Sequence, residues 1–264
     1  MLINLFTTIQ AIKDIRPLVL NLTNQVTIDF IANGLLALGA SPVMSCALEE
    51  LEEMINLAAS VVINIGTLNE NQVKVFKSAV SIASKFDKKI IIDPVGAGAT
   101  CYRTNIILDL LESNKIDVIK GNASEIMAIA GREVITKGVD SNNTTEEAID
   151  AAKFLAAKYQ TCIVISGIKD FIINKDSIEC CEFGDSIMSK VTGMGCLLSS
   201  IIAAFCAVEK NNFTASVKAV TFFGIVGELV ANYNNFPASF KINFIDKIYN
   251  IQQDEINSKL KKVI

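Results

Sequence analysis

Four short stretches combine side chains able to do chemistry with the context of a strand end. In the first, the aliphatic run Ile90-Ile91-Ile92 delivers Asp93, and Pro94-Val95-Gly96-Ala97-Gly98-Ala99-Thr100 follows as a glycine-rich turn. The turn matches neither common phosphate loop: a GxGxxG beginning at Gly96 needs glycine where Cys101 stands, and the chain has no GK[ST]. Asp93 therefore reads either as a charged group at a ligand site or as a solvated strand end. In the second stretch, Val118-Ile119-Lys120 runs into Gly121-Asn122-Ala123-Ser124-Glu125. Asn122 and Glu125 have the spacing of an N-cap and its N3 partner. Glu125 aimed at Asp93 would instead offer a second carboxylate to Mg²⁺, which binds one or two carboxylates and fills its shell with water and phosphate oxygens. Both readings hold together if the helix start faces the site.

The third stretch, Val191-Thr192-Gly193-Met194-Gly195-Cys196, opens an apolar helical pattern. Glycines at a helix start let backbone N–H groups turn toward one point, where the helix dipole adds about half a positive charge. An anion would sit well there, although a glycine turn that permits close packing explains the same residues. A thiol in the first helical turn has a depressed pKa and reacts if exposed, whereas a buried one is simply a small apolar side chain. In the fourth stretch, Ile163-Val164-Ile165 ends in Ser166, whose hydroxyl suits a phosphate oxygen or a turn.

Composition removes several chemistries. The 264 residues contain no histidine, which excludes Ser-His and Cys-His nucleophile pairs, zincins and papain-like proteases. Lys plus Arg is 24 against 28 for Asp plus Glu, so the net charge of −4 argues against nucleic acid as a partner. Seven cysteines without CxxC spacing and without an export signal point to reduced thiols and a cytoplasmic location. The N-terminal stretch carries no basic region before Lys13. The helical pattern from Leu197 to Val208 is shorter than the roughly 20 residues that span a bilayer, so a soluble chain is expected, with no membrane partner. Hydrophobic residues at 51% allow a large core and a subunit interface besides.

Elements must hold these stretches in place, and the pattern supplies them. Leu18 to Leu22, Pro42 to Ser45, Val61 to Ile65, Lys89 to Asp93, Val118 to Lys120 and Cys162 to Ser166 read as strands, mostly continuous aliphatic runs that a parallel sheet covered on both faces requires. Helical patterns of crossover length lie between them, at Ala47 to Ala59, Glu70 to Phe86, Thr104 to Ser113 and Thr145 to Lys158. FIIN, SIECCEF and IMSKV, between Asp170 and Val191, predict antiparallel strands at one edge. Helices follow over about 195–208, 213–234 and 240–261, and Asp140 to Thr145 reads as a polar surface loop. The expectation is a single domain over residues 1–264, in the α/β class, with a mostly parallel central sheet, helices on both faces and antiparallel edge strands. In such sheets ligands bind beyond the carboxyl ends of the strands, where the four stretches fall.

Other blocks join these four in a fixed order: Thr23-Asn24, ANGLLALGASPVM from Ala32 to Met44, Asn64-Ile65-Gly66-Thr67-Leu68, DPVGAGAT from Asp93 to Thr100, Gly121-Asn122 with Glu125, and Val191-Thr192-Gly193 to Gly195-Cys196. Over about residues 17 to 235 the sequence resembles the ribokinase-like kinases, and within them the hydroxyethylthiazole kinases of thiamine salvage. The resemblance implies transfer of the ATP γ-phosphate to the hydroxyl of 4-methyl-5-(2-hydroxyethyl)thiazole. It implies Met44, Gly193 and Asn24 at the thiazole, Lys120 and Ser166 at ATP, Asp93 and Glu125 at Mg²⁺, and Gly193, Gly195 and Cys196 around the transferring phosphoryl group. It also implies a homotrimer with active sites at subunit interfaces. Lys120 stands where the family commonly has arginine, Ser166 where it has threonine, and Leu20 precedes Asn21 where relatives often have histidine. The wider superfamily usually places aspartate at the position of Cys196, so the thiol predicts a weak base and a slow kinase. Two rivals remain open: another small-alcohol kinase, such as a hydroxymethylpyrimidine kinase, and a non-catalytic nucleotide-binding regulator.

Overall fold

The computed structural model describes residues 4–131, 145–233 and 235–261. In chain order these form α1 (Leu5–Ile15), β1 (Leu18–Leu22), α2 (Ile28–Leu38), β2 (Ser41–Val43), α3 (Leu51–Leu57), β3 (Ser60–Asn64), α4 (Glu70–Lys85), β4 (Lys89–Asp93), α5 (Cys101–Ser113), β5 (Val118–Asn122) and α6 (Ala123–Ile129). They continue with α7 (Thr145–Tyr159), β6 (Cys162–Ser166), β7 (Asp170–Ile173), β8 (Ile178–Cys181), a 3₁₀ turn (Ser186–Lys190), α8 (Met194–Val208), α9 (Asn212–Ala231), α10 (Pro237–Asn250) and α11 (Gln253–Leu260). The expected loop over positions 140–144 lies outside the described residues.

The strands make one sheet in the order β2-β1-β3-β4-β5-β6-β7-β8, parallel from β2 through β6 and antiparallel at the β6-β7-β8 edge. The chain leaves β1 toward β2 on one side and returns to β3 on the other, so a crevice opens between the carboxyl ends of β1 and β3. Side chains alternate between the faces. Val62, Ile91, Val118 and Val164 enter the core under α8 and α9, whereas Val61, Ile90, Ile119 and Ile163 enter the opposite core with α4 to α7. Two residues beyond the first set come Asn64, Asp93, Lys120 and Ser166. The pleat alone therefore puts these four on the α8 face at the top of the sheet.

α8 is apolar all round and buried from Leu197 to Cys206, the pattern of a helix enclosed by other elements. It lies across β1, β3 and β4, with α9, α2 and α1 packed around it. Each buried aliphatic side chain contributes about 1.5–3 kcal/mol relative to exposure, which holds its N-terminus over the strand ends. Serines fasten it further: Ser199 Oγ donates to Asp93 Oδ2 (2.8 Å) and Ser200 Oγ donates to Asn21 Oδ1 (2.7 Å). α9 is long and apolar enough to cross a membrane, longer than the Leu197 to Val208 pattern singled out from the sequence, but 83% of its apolar window is buried inside the protein. It is a core helix.

Several elements differ from the sequence expectation. IMSKV forms a 3₁₀ turn, with one flanking residue, instead of a third edge strand, because Asp185 caps it, Oδ1 accepting from the Ile187 N–H (2.9 Å). The helix expected over 240–261 is two, since the backbone turns extended at Ile251 and restarts at Gln252, which keeps Ile251 and Ile256 both in the core. α3 is shorter than Ala47 to Ala59, and α5 starts at Cys101, where the Thr100 hydroxyl accepts from the Arg103 N–H (3.3 Å). α1 and α2, unassigned in the sequence, pack on the α8 side.

Candidate active site

A cavity of about 220 Å³ opens at the carboxyl ends of β4, β5 and β6 beneath the start of α8. Asp93, Val95, Lys120, Asn122, Glu125, Ser166, Gly193, Gly195 and Cys196 line it. Asp93 ends β4 paired in register with Asn64 at the end of β3, and Asn122 is paired with Ser166 across β5 and β6.

Asp93 is 1% exposed. Its Oδ2 accepts from Asn64 Nδ2 (2.8 Å) and Ser199 Oγ (2.8 Å), and its Oδ1 lies 3.8 Å from Lys120 Nζ. Glu125 caps its own helix, accepting from the Asn122 N–H on Oε2 (2.8 Å) while Asn122 Oδ1 accepts from the Glu125 N–H (2.9 Å). Its Oε1 also accepts from the Gly96 N–H (2.9 Å), which ties the glycine turn after β4 to the start of α6. Capping and the site thus use one side chain. Ser166 Oγ donates to the Gly121 carbonyl (3.4 Å).

Charge is unbalanced here. Burial pushes the Asp93 carboxyl above its ordinary range, by more than the Lys120 charge and the Ser199, Asn64 and Lys120 hydrogen bonds pull it down. Glu125 is raised first by burial and then by the Asp93 charge, against Lys120 and two backbone N–H groups. Burial alone would lower Lys120, but Asp93, Glu125, Cys196 and Asp170 together hold its ammonium above the ordinary lysine value. Asp170, at the start of β7, is pushed up to about 6 by burial, against the Gly167 N–H and the Lys120 charge. A single ammonium thus faces two strongly buried carboxylates, and a cation would relieve the surplus. Hard oxygen donors suit Mg²⁺, and both carboxylates keep lone pairs beyond the bonds described. Among the described residues no three of His, Cys, Asp and Glu gather into a cage, which Mg²⁺ held partly by water and phosphate does not need.

At the other wall, Gly193 is the N-cap of α8 with φ +94°, a conformation that favours glycine, and a Cβ there would meet Thr27 Cγ2 at 2.8 Å. A Cβ on Gly195 would meet Lys120 Nζ at 2.9 Å. The first helical bond runs from the Leu197 N–H to the Gly193 carbonyl (2.8 Å), so the amides of Met194, Gly195 and Cys196 have no helical acceptor. These amides and the Lys120 ammonium offer hydrogen-bond donors to an anion at this wall. Cys196 Sγ accepts from Asn24 Nδ2 (3.3 Å). Burial pushes its thiol above the ordinary value and the Asp93 charge adds to this, while Lys120 and the amides of Asn64 and Asn24 offset only part. The depression expected from a helix start is overridden.

The family model of the hydroxyethylthiazole kinase family matches residues 9–254. The chain belongs to this family. It is 41% identical over 262 residues to the hydroxyethylthiazole kinase of Clostridium tetani, covering 97% of this chain and 96% of that one. The solved hydroxyethylthiazole kinase structure from Pyrococcus horikoshii superposes with a TM-score of 0.88 at 37% identity, covering 96% and 95% of the two chains. A ribokinase-like superfamily protein of Enterococcus faecalis shares the fold at 16% identity, with a TM-score of 0.65 over 88% of this chain and 86% of that one. The fold is ribokinase-like, and the family is one of phosphotransferases with ATP as phosphoryl donor.

Of the residues that the family resemblance singles out, Asp93, Lys120, Glu125, Ser166, Gly193, Gly195 and Cys196 line this cavity together. Asn24 reaches it through the Cys196 sulfur, and its amide is oriented by the Val26 N–H and the Thr27 hydroxyl, both donating to Oδ1 at 3.1 Å. Met44 stands just beyond β2, half-buried against the α8 core and outside the cavity lining. Sequence reasoning gave no role to Asn64, Ser199 or Asp170. Asn64 lies in the quoted NIGT block, and Ser199 follows Gly195 by one helical turn, so strand-end alignment and helical spacing were the available signals.

Proposed function

We propose that this chain, acting as a single kinase domain, transfers the γ-phosphoryl group of ATP to the hydroxyl of 4-methyl-5-(2-hydroxyethyl)thiazole, giving the thiazole phosphate and ADP in thiamine salvage. The observation that carries the reading is the convergence of three things on one cavity: the unpaired amides opening α8 with the Lys120 ammonium, the carboxylates of Asp93 and Glu125, and the Cys196 sulfur. Phosphoryl transfer needs positioning and charge neutralisation more than covalent help from the protein.

In this reading the amides from Met194 to Cys196 and the Lys120 ammonium bind the oxygens of the migrating phosphoryl group, where its charge is spread in the transition state. Ser166 and Lys120 contact the nucleotide phosphates, Lys120 as a point charge without the planar fork of arginine. Asp93 and Glu125 would hold Mg²⁺, which supplies neutralising charge on the phosphates when bound. Gly193, Asn24 and Met44 contact the thiazole. The acceptor oxygen attacks phosphorus as the bond to the ADP oxygen breaks, and the hydroxyl proton passes to Cys196 Sγ when that group is a thiolate. The raised thiol makes this base scarce near neutral pH, consistent with a slow enzyme.

We place the protein in the cytoplasm, on the seven cysteines and the absence of any disulfide among the described residues. A homotrimer is the assembly we propose: Val26, Ile28, Leu36 and Leu48 remain exposed on α2 and in the segments flanking α2 and β2, where a second subunit would cover them and complete the pocket near Met44. The test is ADP release by purified protein with Mg²⁺-ATP, with and without the thiazole alcohol. Thiazole-dependent release supports the kinase. Release only with another small alcohol favours a related kinase, and ATP binding without any acceptor-dependent release favours a nucleotide-binding regulator.

A further inference from the structure

Arg103 lies in the first turn of α5, outside the cavity lining. Its guanidinium reaches back over the strand ends, where Nη1 donates to the carbonyls of Ile65 (2.7 Å) and Val95 (2.6 Å) and Nη2 donates to the carbonyl of Gly66 (3.0 Å). Ile65 and Gly66 belong to the loop after β3, and Val95 to the loop after β4. Past the last ladder bond between these strands, from the Ile65 N–H to the Asp93 carbonyl (3.3 Å), the planar fork takes over the connection. Gly96 is shaped to admit it: its φ is +77°, and a Cβ there would meet Arg103 Cδ at 3.2 Å and Nη1 at 3.3 Å.

Each loop carries one side of the site. Gly66 abuts Asn24, since a Cβ on Gly66 would lie 2.9 Å from Asn24 Cβ, and its N–H donates to Asn64 Oδ1 (3.0 Å). That is the side of the Cys196 sulfur. Val95 lines the cavity and the Gly96 N–H holds Glu125, on the side of the carboxylates. We propose that Arg103 is a positioning residue of the phosphoryl transfer: its fork fixes the acceptor end of the site relative to the carboxylate end while touching neither reactant. Charge alone does not do this. A lysine at 103 keeps the cation but cannot present coplanar donors to carbonyls of two loops.

The proposal rests on the kinase reading above, so its test has one arm that reads activity and one that does not. Arg103→Lys and Arg103→Ala are compared with wild type by kcat and KM for ATP and the thiazole alcohol, by thermal unfolding, and by amide hydrogen exchange around Gly66 and Gly96. Misplacement of reacting groups by about 1 Å costs on the order of 10² in rate, so kcat in both variants is expected to fall by about tenfold to a hundredfold. KM for ATP stays close to wild type, exchange at Gly66 and Gly96 speeds up, and guanidinium ion at a non-denaturing concentration restores several-fold activity to Arg103→Ala. A folded Arg103→Lys protein with wild-type kcat overturns the proposal, whether or not Arg103→Ala folds. So does unchanged exchange at both glycines, or a kcat loss in intact Arg103→Ala that guanidinium does not relieve. If wild type releases no ADP with the thiazole, the kinase reading fails by itself, while the exchange arm still reads the hold of Arg103 on the two loops.

Discussion

Gly195→Ala separates stability from catalysis at a single methyl group. The added Cβ falls 2.9 Å from Lys120 Nζ, where an ordinary contact is 3.4 Å or more, so the ammonium has to move by at least the difference. It has little freedom to do so, because Lys120 is 4% exposed and lies 3.8 Å from Asp93 Oδ1. For an ammonium about 3 Å from a phosphoryl oxygen, a retreat of about 0.5 Å at an effective dielectric near 20 weakens the attraction by roughly 0.8 kcal/mol, or about fourfold in rate. Misalignment of the phosphoryl group by the same methyl extends the loss toward about a hundredfold. Two opposed effects act on stability: alanine is favoured over glycine in a helix by up to about 1 kcal/mol, and displacing the buried ammonium beside Asp93 costs part or all of that gain, so Tm is expected to change little. Steady-state ADP release and thermal unfolding on the same preparation read both quantities. A variant with an unchanged or higher Tm and wild-type kcat would remove Lys120 and the amides of α8 from phosphoryl binding.

Three further outcomes follow from the site. Cys196→Ala is expected to cost no more than the roughly 10² to 10⁴ typical of a general base, and Cys196→Asp to match or exceed wild type. Because only the thiolate accepts a proton and burial raises the thiol, wild-type kcat should climb as pH rises above neutral, while Cys196→Asp flattens the profile; total loss in a folded Cys196→Ala protein would show that the thiol does more than accept the proton, and wild-type kcat in that protein would refute the base role. Asp93→Asn should depress Mg²⁺-dependent turnover more than thiazole binding, and equal turnover takes Asp93 out of the metal role. Asp170 is raised in the fold to about 6, so its ionisation costs native stability as pH rises from about 4 through about 6. Asp170→Asn should therefore stabilise the protein at pH 7 by at most ~3 kcal/mol, less because the side chain is only partly buried, with no gain near pH 4. Chemical denaturation at the two pH values checks this, and an equal effect at both refutes it.

The amino-acid sequence by itself determined the sheet, because a continuous aliphatic run such as Ile90-Ile91-Ile92 is stable only with both faces covered, and the two-residue alternation then sends Asp93 and Lys120 to the same face. It also determined the Asn122–Glu125 cap, whose partners are three residues apart. The conformation of IMSKV was not legible, because strand and 3₁₀ turn suit the same short apolar run until Asp185 closes its cap. The break at Ile251 was hidden for a related reason: the helical pattern continues through it, and only the core decides which residues stay buried. The hydrogen-bond network around the cavity belongs to the tertiary structure alone. Ser199 meets Asp93 across 106 residues, and Asn24 meets Cys196 across 172, once β1, β3 and β4 stand side by side under α8. No local period or cap records such a pair, since each partner is satisfied in the unfolded chain by water and gains its specific neighbour only when the strand ends and the helix start are brought to one point.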